Sequence, residues 1–138
     1  MSVEESATRL SLLFSAIYFH CHSQFDMDLS HQAVRLMQYL AVVGPSTVST
    51  LAAHSHIAQN TASETIQRLQ RKNLVEKHRR PDDERVVNVS LTETGHAAVL
   101  QHTGLDTMHL AEPLKQLSRE ERDNILNAFS KLLAIVGG

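Results

Sequence analysis

Seven of the 13 Lys and Arg residues fall between positions 68 and 85: Arg68, Arg71, Lys72, Lys77, Arg79, Arg80 and Arg85. The formal net charge is only −2, so this is a local asymmetry and not a uniformly basic coat. Cations in such a cluster suit phosphate, because their contacts release condensed counterions. Just ahead of it runs Gln59-Asn60-Thr61-Ala62-Ser63-Glu64-Thr65, followed by Gln67 and Arg68. Asn and Gln can pair bidentately with adenine, Ser and Thr serve several bases, and Arg prefers guanine. Glu64 either accepts from cytosine N4 or lowers affinity by repelling phosphate. Further on, Arg79, Arg80 and Arg85 surround the acids Asp82, Asp83 and Glu84. Arginines there suit a phosphate backbone or a narrow minor groove. At least one of those acids is expected to pair with a neighbouring Arg. A polar, solvated helix face would explain residues 59–67 by themselves, so the weight rests on the elements that place them.

Those elements follow from the spacing of apolar residues. Leu10, Leu13, Phe14, Ile17, Tyr18, Cys21 and Phe25 recur at steps of three and four, which predicts a helix over 6–25. The pattern breaks near Asp26-Met27-Asp28. A second helix begins around Leu29-Ser30 and carries Val34, Leu36, Met37 and Leu40 to a stop at Gly44-Pro45. Thr47 is an N-cap for a short helix from Val48 to about His54. A fourth helix runs from about Asn60 to Lys72 with Ala62, Ile66 and Leu69 inward, and Asn73 suits a left-handed cap. The period then changes. Leu74–His78 and Arg85–Leu91 read as paired strands, with 79–84 as a charged turn. Thr92 caps a helix over Glu93 to Leu110, Pro113 marks a break, and Ser118-x-x-Glu121 is a capping box for a last helix.

The fold class is therefore mainly α with a small β-hairpin wing, a winged helix. The apolar stripes near both ends form a dimerisation region. We expect 29–110 to be a winged helix-turn-helix domain, and 1–28 with 111–138, plus part of 92–110, to be dimerisation helices. At 42% hydrophobic, the chain has enough apolar residues for a core. No apolar run approaches the roughly 20 residues of a membrane span. The opening Met1–Glu5 is acidic and lacks the basic start of a secretory signal, and a lone Cys21 makes no internal disulfide. A cytoplasmic protein follows as the expectation. P-loop, G-x-S-x-G and C-x-x-C signatures are absent, so no catalytic residue or cofactor is assigned and an enzyme is not expected.

The stretch from about Leu29 to Leu110 resembles the MarR family of winged-helix regulators. Asp83-Glu84-Arg85-Val86-Val87-Asn88-Val89-Ser90-Leu91-Thr92-Glu93-Thr94-Gly95 matches that family's D-x-R wing, strand and L-T-x-x-G. Leu51-Ala52 and Ile57 match its helix-turn-helix frame, and Arg68-Leu69 with Lys72-Asn73-Leu74-Val75 match the end of its recognition helix. The resemblance implies an obligate homodimer on a pseudo-palindromic DNA site, with Asp83 organising the wing and Arg85 in or near the minor groove. It also implies a repressor released by small, often phenolic, ligands, by oxidants acting on a cysteine, or by zinc. Three positions depart from the pattern. His56 stands where a turn glycine is common, Ala58 replaces the usual N-cap Ser or Asp so that Gln59 or Asn60 is left to cap, and Glu64 sits where a basic or neutral residue is frequent.

The combined reading is a sequence-specific regulator binding double-stranded DNA. Its contact set is Thr47, Gln59, Asn60, Thr61, Ser63, Glu64, Gln67, Arg68, Arg71, Arg79, Arg80 and Arg85. A winged-helix protein-interaction module without DNA binding is the alternative. Three sensing chemistries stay open. Cys21 between His20 and His22 is a candidate redox sensor, although a small apolar residue on the stripe is the simpler account. His102, Asp106 and His109 would share one face of a continuous helix, with Cys21 or His22 completing a zinc shell. Surface histidines explain them more simply, so no metal ligand is assigned. A small aromatic or anionic effector among Arg9, Tyr18, His20 and Arg35 is the third.

Overall fold

The computed structural model describes residues 1–22 and 27–137, so the expected stripe position Phe25 and the break at Asp26 lie outside the described residues. The helices are α1 (Val3–Cys21), α2 (His31–Val43), α3 (Val48–Ser55), α4 (Gln59–Arg71), α5 (Glu93–Thr103), α6 (Thr107–Leu114) and α7 (Arg119–Gly137), and the strands are β1 (Val75–Arg80) and β2 (Asp83–Leu91). The chain divides into two compact units. One consists of Met1–Cys21 with Leu105–Gly138, and the other of His22–Gly104.

The second unit is a winged helix. Leu36 and Met37 of α2, Leu51 of α3, Ile66 and Leu69 of α4, and Leu74, Val75 and Val89 of the hairpin are all at most 2% exposed and form one core. Each such side chain contributes roughly 1.5–3 kcal/mol by leaving water. The helices begin where side chains satisfy free N–H groups. Ser30 Oγ accepts from Ala33 N at 3.1 Å, and Thr47 Oγ1 accepts from Thr50 N at 3.2 Å. The turn between α3 and α4 is left-handed at His56 (φ 55°), and Asn73 after α4 adopts φ 60°, the conformation expected of it. For His56 that conformation costs roughly 1 kcal/mol that glycine would not incur.

The strands pair antiparallel from Val75↔Leu91 to Arg79↔Val87, and the pairing then jumps to Arg80↔Asp83. Ser46, in the α2–α3 linker, joins the far side of β2 through two backbone bonds with Val89, 3.0 and 2.8 Å long. After β2 the chain turns on Thr92. Its Oγ1 donates to Asn73 O at 2.7 Å and accepts from Gly95 N at 3.0 Å, while its N–H donates to Leu74 O at 3.0 Å. The first turn of α5 is thereby pressed onto Leu74. A Cβ at Gly95 would stand 2.0 Å from Leu74 O, so only glycine fits.

The single helix expected over Glu93 to Leu110 is two. Gly104 ends α5, its N–H donating to Leu100 O at 2.8 Å, and Asp106 starts α6 by accepting from Met108 N and His109 N at 3.1 and 3.2 Å. Asp106 N also donates to Cys21 O at 2.6 Å, tying α6 to the end of α1. Pro113 lies within α6, near its end, and α7 opens with the expected capping box, Ser118 N to Glu121 Oε1 and Glu121 N to Ser118 Oγ, each 3.1 Å. Neither α1 nor α7 buries a side chain.

Gly95→Ala should destabilise the protein by about 2–3 kcal/mol, since backbone must move to admit a methyl group. Urea unfolding measures this, and an unchanged midpoint would contradict the packing described. In the same assay His56→Gly should gain up to about 1 kcal/mol.

Candidate nucleic-acid interface

Helix α4 buries one edge and exposes the rest. Ala62, Thr65, Ile66 and Leu69 face the core. At about 100° per residue, Asn60, Glu64, Gln67 and Arg71 form a stripe opposite that edge. Gln59 and Ser63 lie on one flank, Thr61 and Arg68 on the other. Except for half-buried Ser63, all of these are exposed. Thr65 is 5% exposed, and its hydroxyl donates to Thr61 O at 3.0 Å, so it belongs to the scaffold. The set splits along the axis: Asn60 and Arg71 are eleven residues, or roughly 16 Å, apart. Short polar side chains gather at the start of α4, cations at its end.

The start of α4 is not capped as expected. Ala58 is the N-cap residue with no side-chain bond, and neither Gln59 nor Asn60 takes over. Thr47 is partly buried, and its hydroxyl both caps α3 and donates to Thr50 Oγ1 at 3.0 Å.

At the other end of α4, Arg68, Arg71 and Lys72 border a cavity of about 430 Å³ whose opposite wall includes Leu29 and Ala33 of the α2 start. Lys72 Nζ donates to Asp28 O at 2.7 Å. Among the described residues, no ion pair engages Arg68 or Arg71. The sequence placed Lys72 in the basic cluster but gave no sign of its link to Asp28, which is 44 residues away.

Near the wing tip each of the three arginines meets an acid or a carbonyl. Arg80 is bidentate on Asp82, with Nε to Oδ1 at 3.0 Å and Nη2 to Oδ2 at 2.6 Å. Asp83 Oδ1 accepts from both the backbone N and the Nε of Arg85, at 3.1 and 3.2 Å. The Arg85 side chain stays 91% exposed. Arg79 Nη1 donates to the carbonyl of Glu84 at 2.7 Å. The hydrogen bond from Arg80 holds the Asp82 carboxyl below the ordinary aspartate value, and the one from Arg85 does the same for Asp83. Asp82 is exposed and Asp83 only half-buried at the surface, so these pairs add order more than stability.

The candidate sensing residues are less coherent. His102 lies in α5 and His109 in α6, and the break between them removes the shared helical face that a metal shell would need. Asp106 is occupied as a helix cap. Cys21 is half-buried at the end of α1. Arg9, Tyr18 and His20 belong to one unit, Arg35 to the other. Arg35 borders a separate cavity of about 270 Å³ with Tyr39 and His54, whose rings lie 4.4 Å apart.

The model of the MarR family matches residues 29–87, from the start of α2 into β2. Among solved structures, it is similar to a MarR-like transcriptional regulator of Thermotoga maritima, with 19% identity, 100% of this chain and 99% of that one covered, and a TM-score of 0.60. A mutant of S. aureus MepR bound to an oligodeoxyribonucleotide is similar over 79% of this chain and 80% of its own, at 23% identity and a TM-score of 0.55. PcaV of Streptomyces coelicolor, in complex with its natural ligand, is similar over 97% and 93%, at 17% identity and a TM-score of 0.54. A search of curated proteins found no match. Identities this low establish the fold. The matched segment spans α2, α3, α4, β1 and the first part of β2.

Because both aspartates have depressed values when folded, their pairing is present above the ordinary carboxylate range and is lost as pH falls through those depressed values. NMR titration of the side-chain carboxyls should give midpoints below the ordinary value for both. Arg80→Gln should move Asp82 back toward the ordinary value and leave most of the Asp83 shift. A shift of Asp83 that vanished with Arg80 would contradict the pairing.

Proposed function

We propose that this chain is a sequence-specific DNA-binding transcriptional regulator that acts as a homodimer, as a repressor, on a pseudo-palindromic site. The observation that carries the reading is that one compact unit presents both the polar stripe of α4 and the exposed Arg85 of the wing. A helix-turn-helix puts the N-terminal part of its second helix against base edges. Gln59, Asn60, Thr61, Ser63, Glu64 and Gln67 occupy that part, with Thr47 nearby in sequence at the head of α3. Arg68, Arg71 and Arg80 supply charge toward the phosphates. Asp83 organises the wing by holding Arg85 at two nitrogens, and Arg85 enters or approaches the minor groove. The oligonucleotide bound to MepR supports this assignment by likeness of fold. No step requires an active site, and the reading is of a regulator and not an enzyme.

The homodimer rests on the end helices. Leu13 and Phe14 of α1 are 48% and 64% exposed, and Phe129 and Leu133 of α7 are 53% and 68% exposed. Contiguous apolar faces of this kind seldom stay in water. A second copy of the chain is the occupant proposed, with α1, α6 and α7 as the dimerisation helices. Among the described residues no helix is long and apolar enough to cross a membrane, and a cytoplasmic location fits a DNA partner. Release from DNA is assigned to a small-molecule, oxidant or metal signal. A small aromatic or anionic effector has support from PcaV, whose structure holds its natural ligand, and oxidation would act at Cys21.

Asn60→Ala and Arg85→Ala should each cost about 1–3 kcal/mol in binding to a duplex selected by the wild-type protein, with little loss on random duplex for Asn60→Ala. Fluorescence anisotropy reads both. Unchanged specific affinity in the two variants would favour the other reading, a winged helix that docks protein. Sedimentation should show a dimer, and a stable folded monomer at micromolar concentration would remove the dimer from the account.

A further inference from the structure

The wing carries Arg79, Arg80 and Arg85, and the structure gives each a different task. The hairpin is regular up to Arg79↔Val87 and resumes at Arg80↔Asp83. One step along β1 therefore spans four along β2, and Glu84, Arg85 and Val86 stand opposite the Arg79–Arg80 junction as a bulge. Bulged residues lose ladder partners, and their backbone groups need others. Two side chains of the wing provide them. Asp83 Oδ1 accepts from Arg85 N at 3.1 Å, and Arg79 Nη1 donates to Glu84 O at 2.7 Å. These bonds grip the two sides of one peptide unit, the carbonyl of Glu84 and the N–H of Arg85. The side chain projecting from that unit is Arg85, 91% exposed.

We infer that Arg79 is a positioning residue and not a DNA contact: its guanidinium latches the Glu84 carbonyl and so sets the bulge that aims Arg85. The inference rests on the DNA-binding reading above and assigns a different role to a residue that charge and position had grouped with the phosphate contacts. Arg80 is drawn elsewhere: its Nε–Nη2 edge is bidentate on Asp82. A lysine at position 79 would keep the charge but present a single flexible ammonium in place of a planar fork. With the latch closed, the ordering of Arg85 precedes encounter with the duplex, and binding loses less entropy. Without it, the Glu84–Arg85 peptide is held from one side only.

A double-mutant cycle separates this role from direct phosphate contact. The variants are Arg79→Gln, Arg85→Ala and both together, measured on a labelled duplex selected from random sequence by the wild-type protein. Arg79→Gln should weaken binding about tenfold, as expected when a charge-assisted hydrogen bond that fixes geometry is lost. In the Arg85→Ala background the same change should cost less than about twofold and leave the salt slope where Arg85→Ala put it. If Arg79 touches phosphate, the losses multiply, and the slope falls further by nearly two for a dimer. That result would overturn the inference. The free protein gives an independent reading. The Arg85 backbone amide should exchange several-fold faster in Arg79→Gln, and unchanged exchange and chemical shifts at 84–86 would also overturn it. Failure of the wild-type protein to bind any duplex would sink the DNA-binding reading, while the exchange measurement would still decide the latch.

Discussion

Ala62, Ile66 and Leu69 are sealed against α2, α3 and the hairpin, each at most 1% exposed, and this burial fixes the rotation of α4 about its own axis. Everything the winged unit can offer a partner follows from that angle. With the apolar edge locked, Asn60, Glu64, Gln67 and Arg71 can only point away. Thr65 joins the sealed edge because its hydroxyl bonds back to Thr61 O. The left-handed His56 delivers the chain into α4 from α3, and the left-handed Asn73 turns it into β1. Both bends are local and backbone-driven, so the polar face is set by chain geometry as well as by packing.

The same core positions the wing. Val75, Val89 and Leu91 bury the base of the hairpin, and Thr92 ties that base to Asn73 and Leu74. The tip has no such burial and is organised by charge. Arg79, Arg80 and Arg85 carry three positive charges beside the acids Asp82, Asp83 and Glu84, and the hydrogen bonds pair them by position: Arg80 with Asp82, Arg85 with Asp83, Arg79 with the Glu84 carbonyl. In water each pair is weak. Their joint effect is geometric: a bulge that leaves Arg85 almost fully solvated while its backbone is held.

Much of this was legible in the sequence where one physical signal decided the outcome. Apolar spacing located the inward edges of α2 and α4, Asn73 announced a left-handed turn, and Thr92 and Ser118 announced helix starts. The residues that misled each satisfy two rules. Gly104 read as a weak helix position, whereas it closes α5. Asp106 read as a metal-ligand candidate at helical spacing, whereas its oxygen caps α6. Ala58 left the start of α4 to Gln59 or Asn60, and tertiary packing holds that start without either. The 79–84 turn proved to be only its central part, with strand pairing running on to Arg80↔Asp83 through the bulge. Nothing in a one-dimensional pattern distinguishes an arginine that faces a phosphate from one that faces a carbonyl five residues away.

The central claim, that a polar helix face and a charged wing grip nucleic acid together, is tested most directly by the salt dependence of duplex binding by the unmodified protein. With about three phosphate contacts per protomer, log K should fall linearly with log salt with a slope of roughly −5. A slope near zero, or no measurable affinity for duplex DNA at about 50 mM salt, would contradict the account.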